Sequence, residues 1–237
     1  MSHKSLSLQK PLYHAGRLAA KLIVKAKLEA DVVYHAPLPK GAKIITPNHP
    51  TTTDPIWLTG ILPERMHYLI THSLGQVSIA NWYLKNTGHL ILNSDEGRST
   101  FDTAVQYLQQ GKTMAIFPEG GLSPLDKSIA RARTGAVRMA LTTGAPIIPV
   151  GISIRVRHIT FQPQRFADHV KLARWYLNGP YAVTVGEPIH LEGDVNDRER
   201  VVALSAVLMG RILDLSREGD RRLERHLPGK RIVVSIS

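Results

Sequence analysis

The 237-residue chain contains no cysteine, few aromatic residues and no long apolar run. Without cysteine, disulfides, thiolate catalysis and thiolate metal sites are excluded. The longest stretch free of Asp, Glu, Lys and Arg is residues 66–84, and its polar side chains around Gly75 indicate strand, loop and helix better than a membrane span. Lysines and an arginine interrupt the N-terminal apolar positions, so no secretory signal is predicted.

The net charge of +11 is spread along the chain. Residues 1–118 contribute +5 from 12 basic and 7 acidic residues, and residues 119–237 contribute +6 from 18 and 12. Such a charge is typical of proteins that bind nucleic acid, an anionic membrane surface or acidic small molecules. Because only 6% of the residues are aromatic and no recognition motif is present, we do not expect nucleic acid as a partner. A basic nucleic-acid- or lipid-binding protein without catalysis stays the alternative from another class.

Segments with strand and helix patterns alternate along the chain. The predicted strands are 43–47, 66–72, 89–93, 113–119, 146–154 and 181–189, and the predicted helices are 11–30, 54–62, 77–88, 99–111, 134–144 and 197–217. This alternation predicts an α/β fold, a single domain with a mostly parallel sheet flanked by helices. Sites in such sheets gather at the C-terminal ends of strands, so the segments after 43–47 and 113–119 are the first candidates.

The predicted N-terminal helix, residues 11–30, is amphipathic. Leu18, Leu22 and Ala26 lie on one side, and basic residues at positions 17, 21 and 25 form a row. This pattern predicts either an ordinary surface helix packed on the domain or an interfacial helix whose basic row meets lipid phosphates. We expect residues 1–35 to form this membrane-associating helix and residues 36–237 to form the α/β domain.

The segment "TPNHPTTTDP" places His49 and Asp54 five positions apart between two prolines. Residues five apart on a continuous helix point roughly 140° apart, so a contact between the two side chains requires a bend in the chain. In a functional interpretation, Asp54 accepts a hydrogen bond from one imidazole nitrogen, and the other nitrogen takes a proton from an attacking hydroxyl. Alternatively, Asp54 is the N-cap of helix 54–62, with Pro55 at the first helical position, and has no further role.

A second segment, "AIFPEGGLSP" at 115–124, ends a predicted strand in Pro-Glu-Gly-Gly. Glu119 would be exposed there, and the backbone amides of Gly120 and Gly121 would be accessible to a polar or anionic acceptor. A plain turn after a strand explains the same residues.

Together and in this order, these segments resemble the glycerophospholipid acyltransferase family, the H-x4-D acyltransferases that include lysophosphatidic acid acyltransferases. "NHPTTTDP" is similar to the family's N-H-x4-D block and "IFPEGGLSP" to its F-P-E-G-T-R-S block. "GHLILN" stands where a G-x-x-F-I-x-R block would fall, and "GAPIIPVGI" resembles the fourth, apolar block around a proline. "VTVGEPI" recurs as a late strand in such proteins. The resemblance covers about residues 40–190.

The resemblance implies direct transfer of a fatty acyl group from an acyl-CoA or acyl-ACP (acyl carrier protein) thioester to a hydroxyl of a lysophospholipid-like acceptor such as 1-acylglycerol-3-phosphate. His49 would be the general base and Asp54 would orient it, with no acyl-enzyme, metal or cofactor. The implied substrate-binding residues are Asn48, Asn93, Arg98, Phe117, Pro118, Glu119, Gly120, Gly121 and Pro149.

Two departures from the family pattern concern the acceptor. Gly121-Leu122 replaces the expected Thr-Arg, and Asn93 replaces the expected Arg, so both arginines associated with the glycerol phosphate are missing. An Arg-to-Leu change removes a charge-assisted and often bidentate phosphate contact. Either another basic residue supplies the charge or the acceptor is not a simple glycerol phosphate. Arg98 is the preferred substitute, and the others are Lys127, Arg131 and Arg133.

Other enzyme classes fit less well. A serine hydrolase lacks its G-x-S-x-G motif, and a zinc enzyme lacks H-E-x-x-H. A catalytically inactive lipid-binding relative is a third possibility. We expect a cytoplasmic, peripheral membrane protein on the cytoplasmic face of the inner membrane. The basic residues expected to hold it on anionic lipid include Arg17, Lys21, Lys25, Arg155, Arg157, Arg165 and Arg174.

Overall fold

Apolar segments rich in Ile and Val form the strands of one large sheet, and amphipathic segments between them form its covering helices. The computed structural model describes residues 3–71, 78–92, 97–126, 128, 130–166, 169–225 and 233–236. The helices are α1 (His3–Lys27), α2 (Asp54–Ile61), α3 (Ser78–Asn86), α4 (Gly97–Gln109), α5 (Gly135–Thr143) and α6 (Arg198–Arg225). The strands are β1 (Leu28–Tyr34), β2 (Lys43–Pro47), β3 (Met66–Thr71), β4 (Leu90–Leu92), β5 (Thr113–Ala115), β6 (Ile147–Ile154), β7 (Ile159–Phe166), β8 (His169–Tyr176), β9 (Gly179–Val185) and β10 (Val233–Ile236).

Eight of the described strands form one sheet in the order β10-β1-β9-β6-β2-β5-β3-β4. Neighbouring strands are parallel except β6 and β9, which are antiparallel. β7 and β8 form a separate antiparallel hairpin. The predicted fold class is confirmed: an α/β domain with a mostly parallel sheet, flanking helices and a helix at the N-terminus.

Helices cover both faces of the sheet. On one face, α1 and α2 contribute Val24, Trp57 and Leu58 to a buried apolar cluster. On the other, α4, α5 and α6 contribute to a second cluster that includes Leu108 and Met139. Because both faces are covered, all eight residues of β6 are buried, which fits the continuous apolar sequence of that strand.

Helix α1 packs on the domain through a stripe containing Tyr13, Ala20 and Val24. The crossing with α2 is close, since a Cβ added at Gly60 would lie 2.8 Å from the carbonyl oxygen of Ala20. The side of α1 that carries Leu18 and Leu22 points away from the domain, and each of these leucines is 59% exposed. No helix within the described ranges combines the length and the apolarity needed to cross a bilayer.

Several predicted boundaries were wrong. The helix predicted over 11–30 ends at Lys27, and residues 28–30 begin β1, a strand of the main sheet. The strand predicted over 113–119 ends at Ala115, and the last helix continues to Arg225. The sequence patterns also missed β1, β7, β8 and β10.

Two histidines lie close to each other near the edge strand β4 and its neighbour β3, and of these His67 is buried and His89 is partly buried. His67 Nδ1 donates to the Gly88 carbonyl at 2.9 Å, and His89 Nδ1 accepts the Tyr68 backbone N–H at 3.1 Å. Burial is the main cause that lowers the pKa of His67 to about 4 and that of His89 to about 3. Both imidazoles are therefore neutral in the folded protein at neutral pH.

We expect the free energy of unfolding to fall as the pH drops from about 6.5 towards 4. The unfolded chain binds protons on these histidines below their ordinary pKa, whereas the folded chain does not, at a cost of up to about 1.4 kcal/mol per pH unit for each histidine. Urea unfolding at several pH values measures this slope. The slope should decrease in His67→Gln/His89→Gln but not in His14→Gln, at an exposed position. An unchanged slope in the double variant would show that other groups cause it.

Candidate active site

The segment with His49 and Asp54 follows β2 at the C-terminal edge of the sheet. Asn48 fixes its start, because its side-chain Nδ2 donates to the Ile152 carbonyl at 3.0 Å and its Oδ1 accepts the Ile152 N–H at 2.6 Å. The amide thus continues the β2–β6 pairing beyond Pro47. Pro149, the buried proline of β6, lies opposite Thr46 in the same pair of strands.

His49 and Asp54 are in contact, because the chain bends between them. The distance from His49 Nδ1 to Asp54 Oδ2 is 3.0 Å, and the side chains are 17% and 0% exposed. A carboxylate only accepts hydrogen bonds, so Nδ1 carries the proton and Nε2 of a neutral imidazole is free to accept one. Within the described residues, Nε2 has no hydrogen-bond partner.

The Asp54 carboxylate is held by three further hydrogen bonds. Thr51 donates its backbone N–H to Oδ2 at 2.7 Å and its hydroxyl to Oδ1 at 2.6 Å, and the Tyr181 hydroxyl donates to Oδ1 at 2.9 Å. Burial and the Asp54 charge raise the pKa of Tyr181 well above its ordinary value, so the phenol stays a donor. The predicted N-cap position was wrong: Thr53 is the N-cap, Asp54 is the first residue of α2, and the bonds to its carboxylate come from elsewhere.

The predicted Pro-Glu-Gly-Gly turn is bonded to the backbone of His49. Glu119 Oε1 accepts the His49 N–H at 3.0 Å and the Ser123 hydroxyl at 2.6 Å, and the Ser123 N–H donates to the His49 carbonyl at 2.8 Å. Burial raises the pKa of the Glu119 carboxyl, and the bonds from Ser123 and His49 partly offset this rise. Gly120 makes the turn possible, since its φ of +67° lies in the left-handed region. Gly121 is exposed.

The aromatic ring of Phe117 lies against the imidazole. The ring centroids of Phe117 and His49 are 4.0 Å apart with an angle of 23° between the planes, and Tyr68 stacks beyond Phe117 at 6.3 Å. Pro118 is buried, and its carbonyl accepts the Arg133 N–H at 2.6 Å. These contacts limit the orientations that the His49 ring can adopt.

The basic residues considered as contacts for the acceptor phosphate lie at different places in the structure. Arg133 lies over Gly120, because a Cβ added at that glycine would be 3.1 Å from Cγ and Nε of Arg133. Arg98 is an exposed residue in the first turn of α4. Asn93 and Lys127 lie outside the described residues.

An apolar cavity begins beside these residues. Asn48, Pro50 and Glu119 are among its lining residues, and residues of β6 and α6 line it as well. Its walls are mainly the aliphatic side chains of Leu125, Ile152, Ile154, Met209, Ile212 and Leu213.

A protein-family model described as Acyltransferase matches residues 29–153, which is more than half of the chain. The chain belongs to this acyltransferase family. The family resemblance predicted from the sequence motifs is therefore confirmed, and the match spans both the H-x4-D segment and the Pro-Glu-Gly-Gly turn.

Individual relatives of this acyltransferase agree with the assignment. A 1-acyl-sn-glycerol-3-phosphate acyltransferase of Bacillus subtilis (strain 168) is 26% identical over 208 residues, covering 86% of this chain and 96% of that protein. Another of the same name from Helicobacter pylori (strain J99 / ATCC 700824) is 24% identical over 135 residues, covering 56% and 51%. The crystal structure of the 1-acyl-sn-glycerophosphate (LPA) acyltransferase PlsC from Thermotoga maritima matches with a TM-score of 0.60 at 19% identity, over 95% of this chain and 83% of that chain, which shows a shared fold.

Three residues of the candidate site were missed by sequence reasoning. Thr51 and Tyr181 bond to Asp54, and Arg174 Nη1 donates to the Ser123 carbonyl at 2.5 Å. Thr51 stands inside the H-x4-D segment, so its position was a usable signal. Tyr181 and Arg174 lie on strands far along the chain, and no local pattern connects them with the segment.

We expect Tyr181→Phe to lower the kcat of acyl transfer by about 10- to 150-fold, because a hydrogen bond to a charged group contributes about 1.5–3 kcal/mol and Asp54 would lose one. Tyr176→Phe is the matched control, since its hydroxyl donates to the Pro180 carbonyl and does not contact Asp54. Steady-state kinetics and thermal unfolding of both variants test this. Equal loss of kcat in the two variants would show a general packing effect and contradict the role of Tyr181.

Proposed function

We propose that this acyltransferase transfers a fatty acyl group from a coenzyme A or acyl carrier protein thioester to a hydroxyl of a lysophospholipid-like acceptor in phospholipid biosynthesis. The observation that carries the proposal is the His49–Asp54 contact of 3.0 Å, with Nε2 of His49 facing no partner among the described residues. The names of the Bacillus and Helicobacter relatives make 1-acyl-sn-glycerol-3-phosphate the first acceptor to test.

The proposed reaction uses His49 twice. Nε2 takes the proton from the acceptor hydroxyl as its oxygen attacks the thioester carbonyl, and Asp54 stabilises the imidazolium that forms. The carbon–sulfur bond then breaks, and the thiolate takes the proton from His49. A new ester and a free thiol result, without an acyl-enzyme and without any cofactor or metal.

The apolar cavity is the proposed site for the acyl chain. It starts at Asn48 and Glu119, both direct neighbours of the His49 loop, and its aliphatic walls bury a chain without requiring polar partners. This arrangement supports a fatty acyl donor, whose carbonyl would stay near His49 while the chain extends towards α6.

The decisive experiment is an acyl-transfer screen with long-chain acyl-CoA and acyl carrier protein donors, against acceptors with and without phosphate. We expect His49→Ala to lower kcat by about 100-fold or more, because general base catalysis contributes about 10²–10⁴-fold. His14→Ala, at an exposed position, is the control. Undetectable transfer by the wild-type protein from every donor would reject the proposal and favour a catalytically inactive lipid-binding protein.

We propose Arg133 as the residue that contacts an acceptor phosphate, in place of the two missing arginines. Both arginines are exposed, but the Arg133 side chain lies over the Gly120 turn, whereas Arg98 is in the first turn of α4. This proposal replaces Arg98, the residue preferred from sequence spacing alone.

Arg133→Met should raise KM for phosphate-bearing acceptors by about 10-fold or more, because it removes a charge-assisted hydrogen bond, and should leave KM for phosphate-free acceptors nearly unchanged. Arg98→Met and Arg131→Met are the comparisons, since both residues are exposed and basic. KM measurements with paired acceptors decide between them. A selective effect in Arg98→Met alone would restore the sequence-based preference.

We further propose that the protein is a peripheral membrane protein and that α1 faces lipid. Leu18 and Leu22 are exposed on α1, with the basic residues Lys21 and Lys25 beside them. An exposed apolar stripe bordered by lysines fits the interface of an anionic bilayer, which is also where a lysophospholipid acceptor resides.

A further inference from the structure

We propose that the β7–β8 hairpin is a second lipid-binding surface, distinct from α1, whose outer half enters the headgroup region of an anionic bilayer. The inference rests on the proposed function, because it explains how the His49 loop meets an acceptor that resides in a membrane.

One face of the hairpin passes from the protein core into solvent. Residues directly opposite each other on paired strands share a face, and the register pairs Ile159 with Tyr176 and Pro163 with Leu172. Near the base this face is buried, with Ile159 at 9% and Tyr176 at 0% exposure. Further out the same face exposes Leu172 to 55% and Val170 to 60%. The outer half therefore carries apolar side chains that no described part of the chain covers.

A third exposed apolar side chain lies on the same face, between the base and the outer half. Phe161 pairs with Arg174 on the same face and is 43% exposed. Large apolar side chains that stand together on a projecting hairpin indicate a binding surface, whereas single exposed ones are ordinary.

The charge of the hairpin region matches an anionic lipid surface. The two strands and their connection, residues 159–176, contain three Lys or Arg and one Asp, which gives a net charge of +2. A second copy of the same chain would bring a second positive charge against the first, so self-association of the hairpins is opposed electrostatically. An anionic bilayer offers both an apolar interior and negative headgroups.

The base of the hairpin is bonded directly to the candidate active site. The Thr52 N–H donates to the Arg174 carbonyl at 2.8 Å, and Trp57 Nε1 donates to the Tyr176 carbonyl at 2.9 Å. Arg174 also donates from its guanidinium to the Ser123 carbonyl. Insertion of the outer half would hold the His49 loop close to the bilayer, within reach of an acceptor hydroxyl.

A site-specific label tests insertion, because the chain has no native cysteine. Leu172→Cys is labelled with an environment-sensitive fluorophore and mixed with phosphatidylcholine vesicles that contain phosphatidylglycerol. We expect a blue shift and a several-fold increase in intensity. Val207→Cys on α6, 62% exposed in the unsubstituted chain, is the matched control and should respond weakly. Equal responses at the two positions would overturn the proposal.

A second measurement compares charge substitutions in vesicle cosedimentation. Val170→Asp/Leu172→Asp should weaken binding to the same vesicles by about 10-fold, whereas Val202→Asp/Val207→Asp should leave it nearly unchanged. Thermal unfolding establishes that both variants are folded. Binding of the hairpin variant equal to that of the wild type would overturn the proposal, as would a label response that rises with protein concentration in the absence of lipid, which indicates self-association.

Different results would reject the lipid-binding hairpin and the proposed acyl-transfer function. Acyl transfer by the wild type in detergent micelles, together with no response of the Leu172→Cys label to vesicles, rejects the hairpin surface and keeps the proposed function. Vesicle insertion of the hairpin with no acyl transfer from any donor rejects the proposed function, and with it the purpose assigned here to the hairpin.

Discussion

The buried carboxylate of Asp54 is the group on which the candidate active site depends. An ionised carboxylate without solvent contact is stable only if hydrogen bonds replace the water it has lost. Thr51 supplies two of these bonds, and Tyr181 and His49 supply one each. The loop therefore has to bend sharply after β2, and the orientation of the imidazole follows from this bend. Glu119 then joins the second motif to the backbone of His49.

The fold class follows from local sequence because the central strands and helices have clear local patterns. β2 is a short, fully buried strand that ends in a proline, and Pro55 lies in the first turn of α2. The elements that were missed lack such signals. β1 follows α1 without a glycine or proline, so residues 28–30 continue the helical pattern. β7 and β8 contain basic, polar and apolar residues. Because their outer half is exposed, their sequences show no regular alternation of buried and exposed positions.

The residues of the candidate site that could be predicted from the sequence are those in short motifs directly after strands. His49, Asp54 and Glu119 satisfy that condition. Tyr181 does not, because it is 127 positions from Asp54 in the chain and reaches it only through the order of strands in the sheet. Similarly, helical periodicity identifies an amphipathic α1 but not which side faces the domain. The side of α1 that faces the domain is determined by tertiary packing, namely the close approach of α1 to Gly60 and the burial of Tyr13.

Within the eight-stranded sheet described here, the antiparallel pair β6–β9 determines what can lie next to the edge that carries the candidate active site. Because β6 ends at that edge and β9 begins there, Tyr181 stands opposite Ile154. The connection between the two strands therefore leaves and returns at the same edge of the sheet. The chain between Ile154 and Gly179 is thus an insertion whose length the sheet does not constrain. Changes in the outer part of this insertion would alter the surface around the candidate active site, whereas its base is held in place by the bonds from Thr52 and Trp57.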